Sequence, residues 1–247
     1  MVKKFLRLLY ALFILHAIWA VAALLVNCPL LPTPWAVYSY FPQLVGLDLW
    51  WDIYFSLYRL GWSLFWATVI GVPLGIASVR FPKFGQLFDP LVYFTYPMPK
   101  IAFLPVVMLL AGLGNASKII MISLIIVFQI IIGVRDAVSQ VPSSMYQVLE
   151  VLHANRWTMF WAVTWPASLA GFLSSLKIAL GTAIATLFFT EIYGTQYGMG
   201  YFIMDQWNRL DYLAMFGGII VISVVSFLLF SLISLIEHYC LRWQKDK

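Results

Sequence analysis

The sequence predicts an all-α, polytopic membrane protein with six transmembrane helices and both termini in the cytoplasm. Three observations carry that expectation. Of the 247 residues, 63% are hydrophobic and only 10% are charged, where a soluble domain is about a quarter charged. The mean hydropathy is +0.90. Apolar runs long enough to cross a hydrocarbon core of about 30 Å recur along the chain, and Lys and Arg gather in alternate connections. No stretch is left over for a separate soluble domain. The net charge of +5 reads as orientation within a lipid bilayer and gives no reason to invoke nucleic acid.

The first run, 5–26, follows Lys3 and Lys4 and carries Arg7 in its first turn. It is long for the apolar part of a signal peptide, and Asn27 before Cys28 is a poor lipoprotein cleavage context, so it reads as a retained helix. Residues 27–47 read as a loop without Lys or Arg. The second span is 60–79, where Gly71 and Gly75 beside Pro73 permit close packing within the chain. The third, 85–114, is broken by Pro97, Pro99 and Pro105. The fourth is 118–134, the fifth 167–189 and the sixth 213–236. Between the last two, "TQYGMGYFIMDQWNRLDY" reads as a short amphipathic helix whose aromatics suit a membrane interface. The expected organisation is an N-terminal helix and outer loop at 1–55, then a core at 56–247 with a cytoplasmic loop at about 143–156.

Orientation follows from the basic residues. Lys3, Lys4, Arg7, Arg80, Lys83, Arg135, Arg156, Arg242, Lys245 and Lys247 fall on one face in this topology. The opposite loops hold Lys118 and Arg209, with Arg59 at a helix start. The positive-inside rule puts the first set in the cytoplasm. Cys28 and Cys240 then lie on opposite faces and cannot join within one chain. No phosphate-binding loop, H-E-x-x-H or metal-ligand cluster is present. His16, His153 and His238 stand apart from one another. The chain is therefore expected to be no enzyme, and to hold no cofactor of its own.

The stretch "SSMYQVLEVLHANRWTMFWAVTWP" (143–166) is helical in pattern but too polar to span. Met145, Val148, Leu149 and Leu152 recur at i, i+3, i+4 and i+7, one apolar stripe. Gln147, Glu150 and Ala154 occupy the other face. The "HAN" that follows breaks the helix, with Asn155 able to take a left-handed turn. The bland reading is a helix lying on the membrane surface; the alternative is a docking surface for a cytoplasmic partner.

This loop resembles the cytoplasmic signature of ABC importer permeases, E-A-A-x-x-x-G-x(9)-I-x-L-P. Anchored on Pro166, Val163 falls at the Ile position, Trp165 at the Leu, His153 at the Gly and Gln147 at the Glu. Val148 and Leu149 replace the two alanines, and Glu150 lies one turn from the missing carboxylate. From about Ser56 onward, "YPMPKIAFLP" and "FFTE" followed by "GMGYFI" are similar to permeases of the nitrate, sulfonate and taurine group. The resemblance implies a type I ABC importer-like fold, a homodimer of this chain and two separate ATPase subunits carrying ATP and Mg. It also implies an extracytoplasmic solute-binding protein. The docking residues it implies are Met145, Gln147, Val148, Leu149, Glu150, Leu152 and His153.

Buried charge marks candidate pathway residues, because a charge in hydrocarbon costs at least a few kcal/mol and faces a cavity or a partner. Adding helix lengths on either side of Pro97 and Pro99 puts Lys100 near mid-depth. Lys177, about eleven residues into the fifth span, comes out at similar depth, and Glu191 falls just past that span at the outer face. Lys177 could instead pair with a carboxylate or snorkel, and Glu191 could be an ordinary interfacial residue. Two deep lysines favour a small anionic solute, although similar permeases also move neutral compounds. An ion-coupled secondary carrier is the main alternative; it would show an internal repeat and an intramembrane acid. Asp89 is the nearest candidate for that acid, and no repeat is visible. A membrane scaffold without transport would need neither lysine.

Overall fold

A computed structural model describes residues 2–47 and 49–242. Lys245 and Lys247, used above for orientation, lie outside the described residues, as do the side chains of Lys3 and Lys4. Every regular element among the described residues is helical. These are α1 (Val2–Val26), α2 (Pro34–Val45), α3 (Leu49–Arg80), α4 (Pro82–Thr95), α5 (Leu104–Ala111), α6 (Asn115–Ser139), α7 (Ser143–Val151), α8 (Arg156–Met159), α9 (Trp165–Glu191), α10 (Met199–Asn208) and α11 (Tyr212–Cys240). A 3₁₀ turn, Lys100–Phe103, leads into α5, and a π-helical stretch, Phe160–Thr164, joins α8 to α9. Among the described residues, five helices are long and apolar enough to cross a membrane, and the bent pair of α4 with the segment Lys100–Ala111 makes up to six.

The chain divides into two compact units, Met1–Ser56 with Gln196–Val224, and Leu57–Thr195 with Val225–Lys247. In the first, α2 occupies the stretch expected as a loop. Thr33 caps it by accepting from the Ala36 amide at 3.4 Å, and Pro34 supplies the fixed φ suited to a first helical position. Trp19 of α1 donates to Pro32 O at 3.0 Å and stacks on Phe216. Tyr40 donates to Asp211 at 2.9 Å, and that bond chiefly raises the tyrosine pKa above its ordinary value. Asp52 and Ser56 accept the amides of Gly198 and Met199 at 2.7 and 2.8 Å. They thereby satisfy orphan donors at the start of α10, the short helix expected after the fifth span.

The second unit is built on α6. Ile122, Ile126, Ile130, Val134 and Val138 form a stripe at every fourth residue, each no more than 3% exposed. Leu60 and Ala67 of α3, Ala179, Leu180, Ala183 and Leu187 of α9, and Ile233 of α11 close on it. Small residues set the spacing. A Cβ at Gly71 or Gly75 of α3 would meet Ile130 at 2.9 Å or Ile131 O at 2.8 Å, so this pair packs within the chain as its spacing suggests. A Cβ at Gly171 of α9 would meet Ala137 at 2.3 Å. In lipid, where helices gain little from hydrophobic sequestration, such close backbone approach supplies the packing.

Candidate functional site

The loop between α6 and α9 is the first candidate. α7 covers Ser143–Val151 and buries none of its residues. Met145, Val148 and Leu152 are 48%, 60% and 69% exposed, and Leu149 is half-buried. Gln147, Glu150 and His153 are exposed. The stripe read from the sequence is therefore present and uncovered. What holds α7 to the helices behind it is Tyr146, whose hydroxyl lies 3.1 Å from Thr164 Oγ1 and whose ring faces the Arg80 guanidinium. The break after α7 differs from expectation. His153, with φ 52°, takes the left-handed conformation. Asn155 is extended and caps α8, its Oδ1 accepting from the Thr158 amide at 2.8 Å. An Asx side chain at an N-cap satisfies two needs at once, which is why it sits there.

Lys100 is buried at the corner between α4 and the segment leading into α5, which are bent by 84°. Pro97 and Pro99 have no amide hydrogen, so no helix continues across them. The Lys100 ammonium donates to Thr95 O at 2.7 Å and Tyr96 O at 3.0 Å, the last carbonyls of α4, and lies 4.4 Å from the centre of the Phe128 ring. It thus offsets the negative end of α4. The bend also removes the argument that added the two helix lengths to place Lys100 at mid-depth.

Lys177 forms an ion pair with Glu237 of α11 and lies near the Phe230 ring. Counting back from Glu191 at about 1.5 Å per residue, Lys177 is roughly 21 Å along α9 and close to the middle of that helix. Gln129, near the middle of α6, donates to Thr182 at 3.0 Å, and its own Oε1 is buried without a hydrogen-bond partner. Asp89 of α4 accepts from Arg135 Nε and Nη2 at 2.9 and 2.7 Å.

Glu191 belongs to a buried cluster at the end of this unit away from α7. Arg59 of α3 is 2% exposed and Glu191 is fully buried, with Nη1 donating to Oε1 at 2.6 Å. Arg59 also donates through Nε to Asn115 Oδ1 at 2.9 Å and through Nη2 to Thr195 Oγ1 at 3.0 Å. Beside it Lys118, also fully buried, donates to Leu113 O, Gly114 O and Gly194 O at 2.8, 3.3 and 3.2 Å. Sequence reasoning placed Lys118 in an outer loop and Arg59 at a helix start, and did not join them to Glu191. The signal was present: Asp52, Ser56, Arg59 and Ser63 recur at i, i+4, i+7 and i+11, a polar stripe on one face of α3, and all four are buried.

Comparison with known proteins shows the class to which this all-helical membrane core belongs, the permease subunits of membrane transport systems. Residues 67–239 match the family described as binding-protein-dependent transport system inner membrane component. The chain belongs to that family and is an inner-membrane permease subunit of an ABC importer. It is 30% identical over 218 residues to the taurine transport system permease protein TauC of Escherichia coli (strain K12), covering 85% of this chain and 79% of the relative. It is 29% identical to the putative aliphatic sulfonates transport permease protein SsuC of Bacillus subtilis (strain 168), covering 94% and 86%. Its fold matches a chain of the inward-facing MetNI methionine ABC transporter with a TM-score of 0.66 at 17% identity, over 78% of this chain and 95% of that one.

Proposed function

We propose that this permease works as a homodimer with two separate ATPase subunits, which carry ATP and Mg, and with an extracytoplasmic binding protein that delivers a small anionic solute. The observation that carries the ATPase half is α7. Its apolar stripe is presented to the surface on a helix fixed from behind by Tyr146 and Thr164. Met145, Val148, Leu149 and Leu152 form the contact, with Gln147, Glu150 and His153 at its edge. The orientation that suits this puts α7 and both termini in the cytoplasm, in keeping with the basic residues on that face.

An anionic solute is supported by Lys100, whose ammonium meets carbonyl oxygens and aromatic faces but no carboxylate among the described residues. It is also in keeping with the aliphatic sulfonates named for SsuC. Lys177, balanced by Glu237, adds little. A secondary carrier is disfavoured because Asp89, the acid best placed for ion coupling, is committed to Arg135.

The test is co-purification and uptake. The permease should co-purify with an ATPase subunit, and Leu149→Asp should abolish ATP-driven uptake of an aliphatic sulfonate while leaving the permease in the membrane at normal amounts. Undiminished uptake by Leu149→Asp would refute docking through α7.

A further inference from the structure

We infer that Arg59, Glu191 and Lys118 are positioning residues that form a permanent clasp on the permease, so that the transport movement takes place at the 96–99 break instead of at their end of the fold. The inference rests on the ATP-driven reading above and goes beyond it.

The clasp joins two turns. One, 112–114, ends the broken span, and the other, 192–195, follows α9. Lys118 reaches the first through Leu113 O and Gly114 O and the second through Gly194 O, so its three ammonium hydrogens all find acceptors. Arg59 binds Glu191 and Thr195 on one side and Asn115 on the other. The backbone fits this arrangement: Gly194 has φ 62°, and a Cβ there would meet Leu113 Cδ2 and Met108 Cε at 2.9 Å.

Opening this joint would strand two buried cations and a buried carboxylate. Removing one partner from such a pair leaves an uncompensated charge in a medium that cannot solvate it. A joint of that kind is suited to stay shut through a cycle. The 96–99 break differs in each respect. Two of its four residues are prolines without an amide hydrogen, Met98 is 37% exposed, and α4 beyond it is largely exposed. The hydrogen bonds that cover its carbonyls are local: the Lys100 ammonium donates to Thr95 O and Tyr96 O, Met98 N to Thr95 O, Lys100 N to Met98 O and Ala102 N to Pro99 O. Conformational change concentrates where few buried contacts must be broken.

The experiment uses the whole transporter in membrane vesicles, with Cys28 and Cys240 replaced by serine. Leu113→Cys with Gly194→Cys reports on the clasp. The Cβ positions are 3.2 Å apart, close to disulfide range, and replacing Leu113 removes one of the two side chains that would crowd position 194. Met98→Cys, in a separate variant, reports on the break by its rate of maleimide labelling. Each is measured without nucleotide and with ATP, Mg and vanadate, while ATP hydrolysis is followed in the same vesicles. The expected result is cross-linking to the same extent in both conditions, with Met98→Cys labelling changing several-fold. Cross-linking that fails, or drops several-fold with ATP and vanadate, overturns the clasp. Unchanged labelling at Met98→Cys in vesicles that hydrolyse ATP overturns the hinge. Absence of any ATP hydrolysis by the purified complex would instead sink the ATP-driven reading.

Discussion

Glu191 and Lys177 both sit in ion pairs, yet their surroundings give them different weight. Glu191 is fully buried against Arg59, which is 2% exposed. Taking away the carboxylate leaves a guanidinium in a site built for a pair, and that costs about 3–5 kcal/mol. Lys177 and Glu237 are 21% and 26% exposed, so neither group is sealed in the interior. Loss of such a pair costs about 1 kcal/mol or less. Glu191→Gln should therefore lower the thermal unfolding temperature in detergent, followed by tryptophan fluorescence, far more than Lys177→Met does. A reversed ranking would contradict the assignment of Glu191 to the buried cluster. His153 shows a different constraint, a non-glycine residue held at φ 52° where the resembled signature has glycine. The left-handed conformation costs an L-residue about 1–2 kcal/mol, and His153 accepts that strain to end α7.

At the scale of elements, the apolar spans were legible because hydropathy over some 20 residues is a strong signal in lipid. The errors cluster where polar residues lie inside helices. α3 begins at Leu49, eleven residues before the expected 60, because Asp52, Ser56 and Arg59 lower the hydropathy of a stretch that is nonetheless helical. Read for periodicity instead, the same residues form a stripe, and they also locate the buried cluster. α2 was missed although Thr33 and Pro34 are a ready helix start, because at 12 residues it is too short to register as a span. Pro166 was read as the start of the fifth span, but the helical path runs Arg156–Glu191 through the π stretch Phe160–Thr164. Proline at 166 has no amide to bond back to Ala162, and its ring crowds that carbonyl. A π turn absorbs the mismatch by accommodating an extra residue. Pro166→Ala restores the donor. The stretch should then close as α-helix, turning α7 and α8 by about 100° relative to α9. Co-purification of the ATPase should fall with permease levels unchanged, and full retention would show that α7 tolerates the rotation.

For the whole molecule, the question is how much charge selectivity the permease itself contributes. Among the described residues, the buried charged ones in the second unit are Arg59, Lys100, Lys118 and Glu191, three cations to one anion. Two of the ammonium groups, Lys100 and Lys118, are held by carbonyl oxygens, with no carboxylate bonded to either among the described residues. A positive excess survives among the buried residues of this unit even after Glu237 balances Lys177. At an effective dielectric constant of about 20, a unit pair 4 Å apart gains on the order of 4 kcal/mol. Desolvation of both ions removes much of that. A remainder of about 1.4 kcal/mol is still a tenfold preference. A binding protein that delivers the solute would set recognition, and the permease need supply only a permissive field. Lys100→Met should accordingly reduce uptake of an anionic solute such as a sulfonate several-fold, with solute affinity of the isolated binding protein unchanged. Lys100→Arg keeps the charge and should retain more uptake, although a guanidinium fits the two carbonyls of α4 less closely. If Met and Arg lose uptake equally, Lys100 acts by closing the end of α4 and not through its field. If neither loses uptake, the physical reason for an anionic solute disappears and only the names of the relatives speak for one.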